Sequence, residues 1–280
     1  MKPSRLLLYH HYDRDDIVDD HILYQLRAFA GLGMRTVFCS NNRLAETETA
    51  KLAGIAQEVV IRENNGFDFG AWRQLLLERG RAGLADYDEL VLVNSTCYGP
   101  IFPLSEMFDA MAGADCEFWV PTRHGRTREF PMHGQPYLLV VRRKLLDSDA
   151  FWHFWETMPP LPDYVAARKF GELRLGAEWC AAGFRMASYV NVDDIRPMPY
   201  LGYQEPFILR AADYLIERYR LPLVKIKAFM TDAYRPAAPG GDIIRAMRRS
   251  GSDYPEQLMV NHMRRTAPLD RKSTRLNSSH

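Results

Sequence analysis

The sequence predicts an α/β fold with a mostly parallel central sheet, flanking helices and a less regular, helical C-terminal part. Short apolar runs of strand length alternate with amphipathic segments over residues 5–93, and this alternation is typical of parallel sheets. The run Leu90 to Val93 is apolar without a break, as in a central strand that is buried on both faces. Polar loops follow the apolar runs, so we expect the ligand site at the carboxyl ends of the strands.

The first half of the chain divides into regular elements. Residues 5–9 form an apolar run followed by the Asp-rich loop 10–16. Apolar residues then recur at intervals of three and four after Asp19, the predicted N-cap of the first helix, which Gly31 and Gly33 end. Similar patterns predict strands at 36–39, 58–61 and 89–93 and helices at 44–53 and 71–79.

The second half is less regular and leads into a separate C-terminal part. We predict strands at 118–120 and 137–141 and helices at 144–157, 164–182 and 207–219. The Pro- and Gly-rich segment 237–241 is typical of a linker. We therefore predict one domain over residues 1–236, then a linker with a short basic helical appendage over 237–269. Residues 270–280 match the translation of a sequencing adapter, so we expect them not to be native.

Composition excludes several classes of protein. The 280 residues are 47% hydrophobic and 25% charged, which is enough to bury a core and unlike a disordered chain. A net charge of +1 gives no overall field that would attract nucleic acid, so we expect no such partner. The cysteines form no C-x-x-C pair, which predicts reduced, buried thiols. No apolar run is long enough for a signal peptide or a membrane helix, so we expect a cytoplasmic protein.

Four segments follow one another along the chain: His-Tyr-Asp at 11–13, Arg-Glu-Asn-Asn-Gly-Phe-Asp-Phe-Gly-Ala-Trp at 62–72, Asn-Ser-Thr-Cys-Tyr-Gly-Pro at 94–100, and the aromatic pairs 151–152 and 154–155. Two weaker matches are Glu172, eleven residues before Gly183, and the pair Tyr254-Pro255. As an ordered set, these segments resemble the rhamnan synthesis protein F family, whose members belong to the GT-A-like glycosyltransferases. The likeness covers nearly the whole chain up to residue 269.

The resemblance implies a function. It implies a bacterial glycosyltransferase that moves a sugar from a nucleotide sugar to a cell-surface polysaccharide or a lipid-linked glycan, such as the O-antigen of lipopolysaccharide. The family name implies rhamnose as the sugar, and the donor would be of the dTDP-rhamnose type or a UDP-sugar. The expected reaction inverts the anomeric centre.

The resemblance also implies where the nucleotide sugar binds. Asp68 lies between two glycines, so the backbone can approach a ligand while the carboxylate accepts hydrogen bonds from a ribose or a base. The alternative is that Asp68 caps the following helix. The residues that we expect to bind the nucleotide sugar are His11, Asp13, Asn65, Asp68, Asn94, Ser95, Thr96, Tyr98 and His133.

A departure from the family pattern puts the metal in question. The family often carries Asn-Asp-Ser where this chain has Asn94-Ser95-Thr96, and hydroxyl groups are poorer ligands for Mg²⁺ or Mn²⁺ than carboxylates. Either other groups hold the cation, or cationic side chains and hydrogen bonds stabilise the leaving diphosphate without it. The loop 122–136 either supplies that charge or is a solvated surface loop, and its basic residues are Arg123, His124, Arg126, Arg128 and His133.

Inverting sugar transfer needs a carboxylate that takes the proton of the acceptor hydroxyl. Glu172 is the candidate base, because its spacing to Gly183 resembles the acidic motif of inverting GT-A enzymes. The alternative is an exposed glutamate paired with Arg168 or Arg174, and Glu178 is then the second candidate for the base.

Three other hypotheses remain open at this stage. A non-catalytic glycan-binding or assembly subunit is the main alternative to a transferase, and Ser95 favours it. A Rossmann-like methyltransferase is disfavoured because no glycine-rich turn follows the first strand. A basic stretch either rests on anionic lipid at the inner face of the plasma membrane or forms solvated helix faces, and it consists of Arg245, Arg248, Arg249, Arg264 and Arg265.

Overall fold

The structure is a computed structural model that describes residues 3–124, 133–191, 207–230 and 241–266. Its strands are β1 (Arg5–His11), β2 (Arg35–Ser40), β3 (Glu58–Ile61), β4 (Glu89–Asn94), β5 (Cys97–Tyr98), β6 (Phe118–His124), β7 (His133–Gly134), β8 (Leu138–Arg142), β9 (Met186–Asn191) and β10 (Val224–Lys225). The expected loop residues Arg126 and Arg128, most of the linker 237–241 and the residues 270–280 lie outside the described residues.

The central sheet confirms the predicted fold class. Its strand order is β3-β2-β1-β4-β8-β6-β7, with β9 paired to β6. The pairs β3–β2, β2–β1, β1–β4 and β6–β9 are parallel, and β8 runs antiparallel to both β4 and β6. All six residues of β4 are buried, as predicted for a central strand. A separate two-stranded sheet pairs β10 with β5 and so joins the C-terminal part to the loop after β4.

Helices cover both faces of this sheet. They are α1 (Asp20–Gly31), α2 (Glu46–Ala50), α3 (Phe67–Arg79), α4 (Leu104–Ala112), α5 (Arg143–Leu146), α6 (Asp149–Glu156), α7 (Tyr164–Ala167), α8 (Arg174–Ala181), α9 (Phe207–Arg210), α10 (Ala212–Tyr219), α11 (Lys227–Met230), α12 (Gly241–Arg249) and α13 (Glu256–Thr266). A short 3₁₀ turn spans Ala82–Leu84, and a π-helical segment, Arg168–Leu173, joins α7 to α8.

The hydrophobic core has two layers, one on each face of the sheet. Along β1, Leu7 and Tyr9 pack with α1, α4, α10, α12 and α13, whereas Leu6 and Leu8 pack with α3, α6 and α8. This alternation follows from the two-residue period of a strand. The second layer holds the aromatic residues of α6, which are buried there as core residues: Phe151, Trp152, Phe154 and Trp155.

Several predicted details need correction. Asp19 occupies the N-cap position of α1, but its side chain makes no capping hydrogen bond. The predicted helix 144–157 is two helices, because the Ser148 hydroxyl accepts the Phe151 amide and starts α6 anew. The thiols of three cysteines are buried as expected, but Cys180 is exposed.

The C-terminal helices belong to the core and are not an appendage. Ile243 and Met247 of α12 and Met259 of α13 are at most 1% exposed and pack in the same layer as α1. Residues 241–266 therefore share one hydrophobic core with the domain predicted for residues 1–236. The physical reason is that each helix carries an apolar stripe among its arginines, and that stripe is buried while the charges stay at the surface.

The basic stretch of these helices is largely ion-paired. Arg245 pairs with Asp242, Arg248 with Glu256, and Arg249 with Glu217, and Arg265 is held by three aspartates. These acidic partners offset the charge that would attract anionic lipid. Within the described residues, no helix combines the length and the apolar character needed to cross a bilayer.

Candidate functional site

The carboxyl ends of β1 and β4 lie side by side, with His10 opposite Asn94. The loop 95–96 after β4, the amino-terminal end of α3 and strand β10 all meet there. This is the edge at which parallel α/β sheets bind ligands. Residues from three segments that are far apart in the sequence therefore lie together at one edge of the sheet. The positions of the polar loops in the sequence predicted this arrangement.

A continuous chain of hydrogen bonds links four side chains at this edge. Asn94 Nδ2 donates to Asp68 Oδ2 at 2.7 Å, and Thr96 Oγ1 donates to Asn94 Oδ1 at 2.5 Å. Lys225 Nζ in turn donates to Thr96 Oγ1 at 2.7 Å and lies 4.8 Å from the centroid of the Tyr137 ring. We call Asp68, Asn94, Thr96 and Lys225 the edge network.

Asp68 lies in the first turn of α3 and is not its N-cap. The N-cap is Gly66, in the left-handed conformation with φ of 79°. A Cβ atom on Gly70 would lie 2.4 Å from the Asn65 carbonyl oxygen, so glycine is required for this tight turn. Burial raises the pKa of Asp68, and the hydrogen bonds from Asn94 and the Phe69 amide offset that rise only in part. The carboxylate is thus partly buried, in surroundings that disfavour its charge.

Glu172 lies beside the edge network and faces His133. Its Oε1 is 3.4 Å from His133 Nε2, and its charge contributes to the raised pKa of Asp68. Glu172 belongs to the π-helical segment Arg168–Leu173, and such segments are frequent at functional sites. The segment approaches α3 so closely that a Cβ atom on Gly171 would lie only 2.6 Å from Cδ2 of the Phe69 ring. The lack of a side chain at Gly171 therefore permits this approach.

Of the two arginines expected as possible partners of Glu172, Arg174 pairs with another glutamate. Arg174 forms its ion pair with Glu178, one turn further along α8. Glu172 lies beside His133, whereas Glu178 is paired with Arg174. The two carboxylates, which the sequence offered as candidates for one role, have different surroundings.

The other predicted contacts have partners of their own. Ser95 Oγ accepts the Tyr12 amide at 3.3 Å, and His11 Nδ1 lies 2.9 Å from Ser40 Oγ. Asn65 shapes the turn before α3, where its carbonyl accepts a hydrogen bond from Arg62 at 2.8 Å. Tyr98 is fully buried, and its hydroxyl lies 2.6 Å from His262 Nδ1, so it supports the loop from within the core.

A second polar group lies behind the loop after β1, where α1 meets α13. Arg265 of α13 binds the carboxylates of Asp13, Asp15 and Asp19. Burial by itself would raise the pKa of Asp13, but hydrogen bonds from Arg265 and from the Asp15 amide outweigh it, and the pKa lies below its ordinary value. We use the name α1–α13 corner for Asp13, Asp19, His21, Tyr98, His262 and Arg265.

Burial disfavours the charged form of both histidines of the corner. Burial lowers the pKa of His21 to about 3, and it also lowers the pKa of His262. Their ring centroids are 4.5 Å apart. Among the described residues, Asp19, His21 and His262 are the group whose ligand atoms could hold a metal ion, since these atoms lie within 4.8 Å of one another.

The Asn94-Ser95-Thr96 loop does not fit Mg²⁺ or Mn²⁺. Its side chains carry no negative charge, and the Ser95 hydroxyl already accepts a backbone amide. The ammonium group of Lys225 is bound to Thr96 and would repel a second cation at that point. The positive charge beside this loop is that of Lys225.

Sequence reasoning missed Lys225 and Arg265. Lys225 follows a short apolar run and has no motif around it, and Arg265 was placed in a basic stretch. The pairing of β10 with β5 brings Lys225 to the loop after β4, and the packing of α13 on α1 brings Arg265 to the aspartates. A signal was available for Arg265, since the Asp-rich loop 10–16 needs a cation.

Comparison with known proteins places the chain in a family. The family model described as rhamnan synthesis protein F matches residues 36–278. A curated relative, the uncharacterized protein y4gN of Sinorhizobium fredii (strain NBRC 101917 / NGR234), is 22% identical over 178 residues, which make up 63% of this chain and 46% of the relative. The chain thus spans less than half the length of that relative.

Solved structures give weak similarities. A putative nucleotide-diphospho-sugar transferase from Desulfovibrio desulfuricans G20 has a TM-score of 0.39 and 11% identity, covering 92% of this chain and 97% of that one. The mannosyltransferase PcManGT from Pyrobaculum calidifontis, solved with GDP-Man and Mn²⁺, has a TM-score of 0.40 and 13% identity, covering 98% and 79%. Scores this low do not establish a shared fold, so the function rests on the family and the site.

Proposed function

Because the chain belongs to the rhamnan synthesis protein F family, we propose that it is a nucleotide-sugar-dependent glycosyltransferase of GT-A-like type. The donor is a nucleotide sugar of the dTDP-rhamnose type or a UDP-sugar, and the acceptor is a cell-surface polysaccharide or a lipid-linked glycan. Rhamnose follows from the family description and not from the residues of the site.

The edge network is the observation that carries this proposal. It places a desolvated carboxylate, an amide, a hydroxyl and an ammonium group in one hydrogen-bonded row at the carboxyl ends of β1 and β4. Asp68 and Asn94 supply the acceptors and donors that bind a ribose or a sugar hydroxyl. Thr96 and Lys225 supply the donors that bind a diphosphate.

The reaction that these groups support is a single displacement. The acceptor hydroxyl attacks the anomeric carbon and forms the new glycosidic bond, while the bond from that carbon to the diphosphate oxygen breaks and its electron pair leaves with the nucleoside diphosphate. Glu172 takes the hydroxyl proton as general base. His133, whose Nε2 lies 3.4 Å from Glu172 Oε1, orients that carboxylate.

Lys225 replaces the metal ion in this scheme. Negative charge develops on the leaving diphosphate, and a preorganised cation aimed at that position stabilises the transition state. The ammonium group is held by Thr96 Oγ1 at 2.7 Å and by the face of Tyr137, so it needs no reorganisation. The transfer is therefore expected to proceed without Mg²⁺ or Mn²⁺.

The test compares Glu172→Gln with Glu178→Gln. The donors are dTDP-rhamnose and a panel of UDP-sugars, and the acceptor is a synthetic lipid-linked rhamnoside. Release of dTDP or UDP is measured once in EDTA and once with added Mg²⁺. Glu172→Gln is expected to lower turnover by ~10²–10⁴-fold while the donor still raises the melting temperature. Glu178 pairs with Arg174, so Glu178→Gln is the control and is expected to keep its activity. Full activity of Glu172→Gln would exclude Glu172 as the base.

A glycan-binding or assembly subunit without catalysis is the second candidate. The neutral Ser95 in the loop after β4 favours it, because the family often carries an acidic residue at this position. The same melting experiment separates the two functions. A protein that is stabilised by rhamnose-containing oligosaccharides but by no nucleotide sugar would be a binding subunit.

A further inference from the structure

We propose that Asp19, His21 and His262 of the α1–α13 corner form a binding site for a divalent first-row transition-metal ion, with Zn²⁺ as the favoured ion. The site is distinct from the edge network, and the inference stands whether or not the protein transfers sugars. It would join the start of α1 to α13 through a metal bridge.

The ligand atoms are already close together. The three groups lie within 4.8 Å of one another, and His262 Nε2 is 3.8 Å from Asp19 Oδ2. Ligand atoms at ~2.0–2.2 Å from Zn²⁺ in a tetrahedral site are roughly 3.3–3.5 Å apart. The ligand atoms would therefore have to approach one another by roughly 1 Å to complete the coordination.

His21 is the observation that points to a ligand. It is 3% exposed, and neither of its ring nitrogens has a hydrogen-bond partner within the described part of the chain. A buried polar group without a partner is costly. A metal ion bound to one of these nitrogens would remove that cost.

His262 is arranged as metal-binding histidines usually are. Its Nδ1 lies 2.6 Å from the hydroxyl of the fully buried Tyr98. When Nδ1 donates to that oxygen, the lone pair of Nε2 faces Asp19 and His21. Such an outer partner fixes both the tautomer and the orientation of a ligating imidazole.

Asp19 keeps the capacity to bind a cation. Its carboxylate does not cap α1, and Arg265 donates to both of its oxygens, from Nη2 to Oδ2 at 2.6 Å and from Nε to Oδ1 at 3.3 Å. A metal ion would therefore use one of the remaining lone pairs, since two oxygens offer about four, and it would lie beside the Arg265 guanidinium. The carboxylates of Asp13, Asp15 and Asp19 outnumber the nearby guanidinium groups of Arg14 and Arg265. The corner therefore attracts a divalent cation.

The ligand set selects the type of ion. Two imidazoles and one carboxylate suit Zn²⁺ and its first-row neighbours, whereas Mg²⁺ prefers oxygen ligands. Water completes the coordination. A hard cation of the kind expected for the diphosphate is thus not the ion of this site.

The test uses untagged full-length protein that has been freed of metal with EDTA and then titrated with ZnCl₂. We expect one Zn²⁺ per chain and a rise in melting temperature. His21→Gln and His262→Gln should each abolish this binding, and Tyr98→Phe should weaken it by ~10–100-fold. His153→Gln is the matched control, because His153 is exposed on α6 and the variant should bind Zn²⁺ like the wild type.

X-ray absorption at the zinc edge of the wild-type protein decides the matter even where a variant does not fold. Two imidazole ligands with oxygen, and no sulfur, are expected. Sulfur in the coordination shell would mean binding at Cys180 and would overturn the proposal. So would the lack of any bound Zn²⁺, or unchanged binding in folded His21→Gln and His262→Gln.

Discussion

The edge network and the α1–α13 corner both lie near the carboxyl ends of β1 and β4, but their carboxylates have different partners. In the edge network, Asp68 is desolvated with a raised pKa and has only neutral hydrogen-bond donors. In the α1–α13 corner, Asp13 has a cation as partner and a lowered pKa. The ion pairs of the corner stabilise the fold, whereas the ionised Asp68 of the edge network is held at a cost in stability, as is typical of polar groups at functional sites.

The largest expected effect lies in the corner. Arg265→Leu leaves the buried carboxylate of Asp13 and the partly exposed carboxylate of Asp19 without their cation, and breaking a buried pair from one side costs ~3–5 kcal/mol. Urea unfolding of the EDTA-treated protein measures it. Arg264→Leu changes an exposed arginine on the same helix and should alter the unfolding free energy little. Equal losses in both variants would contradict the role assigned to the corner.

The next effect lies in the edge network and concerns activity. Lys225→Met removes the cation beside Thr96, so turnover should fall by ~10²–10³-fold, while the unfolding free energy changes little. Kinetics of nucleoside diphosphate release measure it. Lys51→Met is the charge-matched control, because Lys51 pairs with Glu48 on α2. Recovery of Lys225→Met activity by Mg²⁺ to the wild-type rate would show that a metal acts there instead.

A glycine substitution tests how the π-helical segment reaches the edge network. Gly171→Ala places a methyl group against the Phe69 ring, 2.6 Å from Cδ2, and such overpacking costs ~1–3 kcal/mol. It should also displace Glu172 and lower turnover. Gly176→Ala is the control, since the nearest atom to its Cβ would be Met186 Sδ at 3.8 Å. Thermal melting together with the transfer assay measures both. Equal melting temperatures and equal turnover in Gly171→Ala and Gly176→Ala would show that the contact between Gly171 and Phe69 affects neither stability nor activity.

The smallest effect has the opposite sign. The pKa of Asp68 is raised in the folded protein, so ionised Asp68 disfavours folding, and the penalty grows as pH rises through the folded pKa. Asp68→Asn should therefore be slightly more stable than wild type at pH 7, and this gain should fade as the pH falls below the titration of Asp68. Melting temperatures over a pH series measure it, and a loss of stability at pH 7 would show that the Asp68 charge stabilises the fold. Activity should nevertheless fall.

Much of the edge network could be predicted, because its members lie where strands end. Asp68 lies in the first turn of the helix after β3, Asn94 ends β4 and Thr96 follows it. The parallel pairing of β3, β2, β1 and β4 brings the carboxyl ends of these strands to one edge of the sheet. Glu172 and His133 were expected separately, and the structure shows that they face each other. Their partners could not be read from local spacing, because they come from different elements.

The sequence alone could not identify the cationic residues of the edge network and of the α1–α13 corner. Lys225 is 129 residues from Thr96, and Arg265 is 252 residues from Asp13. Neither has a motif, since a lysine after an apolar run and an arginine in a basic helix are common surface features. Both α12 and α13 were expected as an appendage for the same reason.

Hydrophobic periodicity and turn residues are local properties, so the sequence by itself determined six of the ten described strands, most helices, the α/β class and the polar loops at the carboxyl ends of the strands. Tertiary structure decided which charges meet: that Lys225 stands at the loop after β4, that Arg265 neutralises the aspartates after β1, and that His21 and His262 share a buried corner. The physical reason is that a strand or helix is selected by its nearest neighbours in sequence, whereas an ion pair or a metal site is selected by packing between elements that are far apart in the chain.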